Sequence, residues 1–208
     1  TVKGYLMTGE KRYRVMALHA ANLLAGRYNP AGRFIRAWDC GNDSYNGMTS
    51  GVAIIDCMMN INILYWASEV FEDTRFKKVA MKHADTTLRD HIRDNGSVNH
   101  IVMHDVDKKG VVNGIGAGQG YSETSCWSRG ASWAVYGFIL SYIHTKEQRY
   151  LDTAIKCANY FIQQTEKTNW LPKLDFDQPE NPCYYDSTAG AIASCGLIEI
   201  AKITGNTY

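Results

Sequence analysis

Asp56 is the residue in this chain best placed by type to do chemistry. It lies in Ala53-Ile54-Ile55-Asp56-Cys57-Met58-Met59-Asn60-Ile61-Asn62-Ile63-Leu64-Tyr65-Trp66, a stretch apolar on nearly every side. As a helix such a stretch is buried rather than half exposed. An ionised carboxylate there loses its water, and unless donors replace it the pKa rises. A carboxyl that keeps its proton near neutrality serves as a general acid. The segment alone favours a structural Asp tied down by hydrogen bonds.

A second group of reactive and sugar-binding types runs from Asp94 through His100, across the glycine-rich Gly114 to Gly120 with Gln119, to Trp127-Ser128-Arg129-Gly130-Ala131-Ser132-Trp133. With Ser128 as a helix cap, Arg129 and Trp133 fall four apart on one helical face, with Trp127 just outside it. An indole and a guanidinium side by side suit a carboxylated sugar, the ring stacking and the fork gripping the carboxylate. Both tryptophans also fit plain core packing. His100 is the functional candidate among the histidines. His19 and His83 on helices, and His91 and His144 near helix ends, read as solvated or facing the helix dipole.

The glycine run does not open a helix after a strand, so it is no dinucleotide fingerprint. Backbone freedom near a ligand accounts for it. His104 to Gly110 lacks the closing Glu of a calcium loop, no other cluster has metal spacing, and no nucleophile elbow supports a Ser-His-Asp site. The expectation is no metal and no cofactor. Further along, Asp186 or Ser187 is a natural N-cap ahead of the last helix.

These residues need a scaffold, and the sequence repeats. Arg12-Tyr13, Ala17 and Ala21-Asn22 recur at identical spacing as Arg75-Phe76, Ala80 and Ala84-Asp85, and again as Arg149-Tyr150, Ala154 and Ala158-Asn159. Each copy is an amphipathic helix whose small residues four apart allow close packing. More uniformly apolar helices are expected at approximately 51 to 69, 128 to 144 and 187 to 203.

The unit is an apolar helix, a short turn and an amphipathic helix. Apolar helices inside a ring and amphipathic ones outside satisfy that alternation, an all-α (α/α) toroid. The long connections 28 to 50, 93 to 127 and 166 to 186 then share one face, where the inner helices start and offer partial positive charge. Residues 1–208 begin and stop mid-pattern, so they read as one segment of a larger catalytic ring, truncated at both ends. Part of an active site is then absent, and the segment alone is expected to be weak or inactive.

At 208 residues and 45% apolar content the chain suffices for one sizeable core. A net charge of +1 without a basic run argues against nucleic acid. Cys40, Cys57, Cys126, Cys157, Cys183 and Cys195 are scattered and read as reduced core thiols. No stretch reaches the length of a membrane span. The expected location is cytoplasmic, or periplasmic once a leader is removed.

The pieces Ile55-Asp56-Cys57-Met58-Met59-Asn60, Asp94 through His100, Gln119-Gly120-Tyr121, Ser125 through Trp133 and Asp186-Ser187-Thr188-Ala189 resemble the unsaturated glucuronyl hydrolases, glycoside hydrolase family 88. The resemblance implies a six-hairpin (α/α) barrel, about three hairpins of which are here. It also implies removal of a Δ4,5-unsaturated uronic acid from oligosaccharides left by polysaccharide lyases, by hydration of the vinyl ether. In that reaction Asp56 is acid and base, His100 and Gln119 hydrogen-bond the sugar, and Trp127, Arg129 and Trp133 shape the uronate subsite. The family's second aspartate is expected before Thr1, and Leu174 stands where the family usually has Trp. Alternatives are an unsaturated rhamnogalacturonyl hydrolase on the same toroid, an ordinary two-carboxylate glycosidase, and a non-catalytic carbohydrate-binding toroid.

Overall fold

The computed structural model describes residues 1–39 and 48–206. Eight α-helices among them carry the fold: α1 (Val2–Thr8), α2 (Lys11–Ala25), α3 (Cys57–Asn60), α4 (Asn62–Phe71), α5 (Thr74–Asp90), α6 (Ser128–Thr145), α7 (Gln148–Glu166) and α8 (Ser187–Thr204). Three helical hairpins, α1–α2, α4–α5 and α6–α7, follow one another, and α8 packs beside α6. The second helix of each hairpin also touches the first helix of the next.

The sequence repeat is a structural repeat, and it extends further upstream than the Arg-aromatic pair. α1, α4, α6 and α8 each end on a residue in the left-handed region: Gly9 (φ 70), Glu72 (φ 55), Lys146 (φ 58) and Gly205 (φ 73). After the first three of these comes an acidic N-cap, Glu10, Asp73 or Glu147. The arginine two residues on pairs with that acid in every copy. It also lies over the aromatic ring that follows, at 4.9, 5.9 and 4.7 Å in turn. All six repeat alanines are completely buried. Their small size lets the hairpins approach, and the same Arg-acid pair stands at the start of each second helix.

Two expectations are corrected. The fold is mostly helical but not all-α: β3 (Val52–Ile54), β4 (Ile101–His104) and β5 (Val112–Gly116) form an antiparallel sheet with β4 central, and β1 (Tyr28–Asn29) pairs with β2 (Phe34–Ile35). The apolar helix expected over 51 to 69 is accordingly divided. Its first residues are a strand, buried on both faces, and a buried run this short has no periodicity to distinguish strand from helix. A second break falls at Ile61, where the Asn62 side-chain amide donates to the Met58 and Met59 carbonyls. The helices expected at 128 to 144 and 187 to 203 are α6 and α8.

Close approach of α3 to α6 depends on Gly137. A Cβ there would lie 2.5 Å from Met58 Cβ and 3.1 Å from its backbone carbonyl carbon and oxygen. Gly137→Ala is expected to destabilise the fold by about 1–3 kcal/mol, the usual cost of overpacking. Thermal unfolding reads this as a loss of roughly 2–4 °C in Tm per kcal/mol.

The core thiols are Cys57, Cys126 and Cys157; Cys183 is half-buried, Cys195 is exposed on α8, and Cys40 lies outside the described residues. Burial pushes the Cys57 thiol up to about 12, with the Asp56 charge adding to it and Arg27 opposing. His83 and His91, expected to be solvated or dipole-facing, are instead fully buried. Among the described residues no helix is long and apolar enough to cross a membrane.

Candidate active site

The sheet assembles the site. Ile54 pairs with Ile101, and one step further the Ile55 N–H donates to the His100 carbonyl at 3.1 Å. That ladder sets Asp56 beside His100 although 43 residues of chain, 57 to 99, separate them. Asp56 is therefore not one or two turns inside a helix, as the sequence suggested. It occupies the N-cap position of α3, immediately beyond a strand, and its side chain makes no capping bond.

One Asp56 oxygen, Oδ2, is buried and has no hydrogen-bond partner. It lies 3.4 Å from His100 Nε2, while the side chain as a whole is 31% exposed. A carboxyl with one shielded oxygen and an open side is free to meet a ligand, and its side chain makes no bond that holds the fold. This geometry counts against the structural reading of Asp56.

His100 is buried, and its Nδ1 is 3.1 Å from the Ala117 carbonyl. The Gln119 N–H approaches the same nitrogen at 3.4 Å. The shorter contact requires Nδ1 to carry a proton, which leaves the Nε2 lone pair of a neutral ring facing Asp56. A protonated Asp56 then finds an acceptor, and an ionised one finds a donor if the ring is charged.

Trp127 packs against His100. Its ring centroid is 4.3 Å from that of His100, and its indole N–H is buried without a partner. Gly130 leaves room for it, since a Cβ there would meet the indole at 3.1 Å. Ser128 does not cap α6 as expected. Trp127 holds the N-cap position, and the Ser128 hydroxyl and N–H both donate to the Leu174 carbonyl, so the helix start is fixed by the third long connection.

The Arg129 guanidinium carbon sits 5.6 Å from the Trp127 ring, and its Nε donates to Asp186 Oδ2 at 2.9 Å. Trp133, half-buried one turn further along α6, has a second unpartnered buried indole N–H. Gln119 touches the group only through its backbone. Its exposed side chain borders a hollow of about 370 Å³ that Tyr121, Asp175 and Tyr184 help to line.

The expected residues are thus linked as Asp56, His100, Trp127 and Arg129 in direct succession. Trp133 and Gln119 flank them. Residues that sequence reasoning did not bring into the site are carboxylates of the third connection. Asp175, 2% exposed, accepts from Tyr121 N–H and the Ser125 hydroxyl, and Asp177 accepts from Cys126 N–H. They hold the 120–126 segment in place. Asp186 caps α8 as expected, but its contact with Arg129 crosses 57 positions and leaves no local signal.

The glycine-rich run is strand β5 followed by a turn, rather than a loop bordering a ligand throughout. Gly118 (φ +57) is packed so tightly that a Cβ would lie 2.4 Å from His100 Nδ1. Gly118→Ala is expected to displace that ring and cut activity by roughly 10- to 100-fold, since small misplacements of a positioned group are costly. Steady-state kinetics with a melting curve checks this: an unchanged rate would mean that His100 has no part in turnover.

No family model matches the chain. An unsaturated glucuronyl hydrolase from Bacillus sp. (strain GL1) is 34% identical over 199 residues, 95% of this chain and 52% of that protein. The chain is homologous to the unsaturated glucuronyl hydrolases. An unsaturated chondroitin disaccharide hydrolase from Streptococcus pneumoniae is 35% identical over 202 residues, 95% of this chain and 49% of the relative. The crystal structure of the Bacillus sp. GL1 unsaturated glucuronyl hydrolase superposes with a TM-score of 0.86 at 32% identity, covering 96% of this chain and 52% of that one. The chain spans about half the length of the curated glucuronyl hydrolases it matches.

Proposed function

We propose that residues 1–208 are a segment of a six-hairpin (α/α) toroid, contributing about three hairpins. We further propose that its site removes a Δ4,5-unsaturated uronic acid from the non-reducing end of lyase-generated oligosaccharides. The observation that carries the reading is the Asp56 carboxyl 3.4 Å from His100, with the Trp127 ring packed at a tilt against that histidine and Arg129 over the indole. Homology supports the substrate class. A solved unsaturated glucuronyl hydrolase 26% identical to this chain is complexed with dGlcA-GalNAc6S.

In this reading Arg129 takes the C6 carboxylate, while Trp127 and Trp133 border the ring with their free indole N–H groups available to sugar oxygens. His100 and Gln119 hydrogen-bond the hydroxyls. Because the C6 carboxylate is bonded to C5, holding it at Arg129 places the C4=C5 bond toward Asp56. The protonated Asp56 carboxyl delivers its proton to C4, and the positive charge that develops is shared by C5 and the ring oxygen. The Asp56 carboxylate then takes a proton from water as the water oxygen bonds to C5, which restores the acid. The C5 hemiketal opens by breaking its bond to the ring oxygen. The C1 hemiacetal so produced collapses and releases the leaving sugar. No metal or cofactor enters these steps.

The test is the full-length parent of this segment incubated with an unsaturated uronyl disaccharide in oxygen-18 water. Loss of the alkene's ultraviolet absorbance with label at C5 is expected. Cleavage with the alkene retained would instead indicate attack at the anomeric carbon, and neither change would indicate a binding toroid.

A further inference from the structure

We propose that Asp186 is the positioning residue for Arg129, an inference that rests on the proposed function above. Asp186 is 5% exposed, and both its oxygens are committed. Oδ1 accepts the Thr188 and Ala189 N–H groups at 3.0 and 3.2 Å, capping α8, and Oδ2 accepts Arg129 Nε at 2.9 Å. Its own N–H donates to the Pro172 carbonyl at 2.9 Å, so backbone and carboxylate are immobilised together.

An arginine at the mouth of a site otherwise samples many rotamers, and each binding event must order it. Here the cap of one helix holds the guanidinium of another by Nε alone. Among the described residues the two terminal nitrogens make no hydrogen bond, so the edge of the fork suited to bidentate contact stays open for an external carboxylate. The Trp127 ring supports the guanidinium from the side, and that ring leads to His100 and Asp56. Asp186 therefore determines where a uronate carboxylate can sit relative to the proton donor, without touching the sugar. A bond that merely tied α6 to α8 would affect folding and leave KM alone.

The experiment is a double-mutant cycle in the full-length parent of this segment with unsaturated uronyl disaccharide. Asp186→Ser keeps a good N-cap but is too short to reach Nε. It is expected to fold and to lose about tenfold or more in kcat/KM, the scale of a charge-assisted hydrogen bond, mainly through KM. Arg129→Gln should lose at least as much, and the double variant no more than Arg129→Gln alone. If Asp186→Ser does not fold, Asp186→Asn takes its place, keeping the cap oxygen while offering Nε no acceptor. A normal KM in the folded variant, or losses that multiply in the double variant, would overturn the positioning role alone. Absence of turnover by the unmutated full-length parent would overturn the function itself, and this role with it.

Discussion

Asp56→Asn is expected to lower alkene hydration by roughly 100- to 10,000-fold, the span attributable to a positioned general acid–base group. The fold should be unaffected. Asn is nearly isosteric, the Asp56 side chain makes no capping bond, and its buried Oδ2 has no hydrogen-bond partner to lose. Stability should therefore stay within about 0.5 kcal/mol of the parent. Measured together, rate and melting temperature separate the two readings of this residue: a structural Asp would lose stability and keep its rate in the folded fraction. An undiminished rate in Asp56→Asn would remove the carboxyl from the mechanism and, with it, the proposed reaction.

A large loss of stability is expected in mild acid, from groups the reaction does not use. His83 and His91 are both completely buried. His83 Nδ1 accepts the Ile35 N–H at 3.0 Å, and His91 Nδ1 is 2.9 Å from the Asn99 carbonyl, to which it must donate. Burial pushes each down to about 3, reinforced at His83 by His91 and His104 and at His91 chiefly by His104. In the unfolded chain both return to about 6.5. Between those values the unfolded state binds protons that the folded state refuses, so stability falls as pH falls. The contribution is fully present above about 6.5 and declines toward 3, by up to about 1.4 kcal/mol per pH unit for each histidine.

Tm measured from pH 7 to 4 should drop steeply. His83→Asn, whose amide oxygen sits where Nδ1 does and can still accept the Ile35 N–H, should make the descent shallower. A flat profile over that range would mean that neither histidine is held neutral by the fold. The cluster also adjoins the site, because Asn99 precedes His100. Acid opening there should therefore release the residue that faces Asp56.

Much of the scaffold was legible because its determinants are local. The spacing of Arg12, Tyr13, Ala17 and Ala21, repeated twice, specifies a helical face through side chains within a few turns of one another, and all those alanines are buried. α6, α8 and the Asp186 cap were legible for the same reason. So was the neighbourhood of Trp127, Arg129 and Trp133, which one helix start determines.

What the sequence did not disclose was decided across distance. Val52-Ala53-Ile54 is as apolar as the helix that follows it, and only its pairing with Ile101, Val102 and Met103 makes it a strand. That pairing moved Asp56 from a helix interior to a strand end and placed it against His100. Tertiary packing likewise buried His83 and His91 and gave Asp186 its second partner. The sequence by itself determined the hairpins and which residue types could do the chemistry. Only the folded chain decided which of them meet, because backbone pairing and side-chain contacts between distant segments obey no local period.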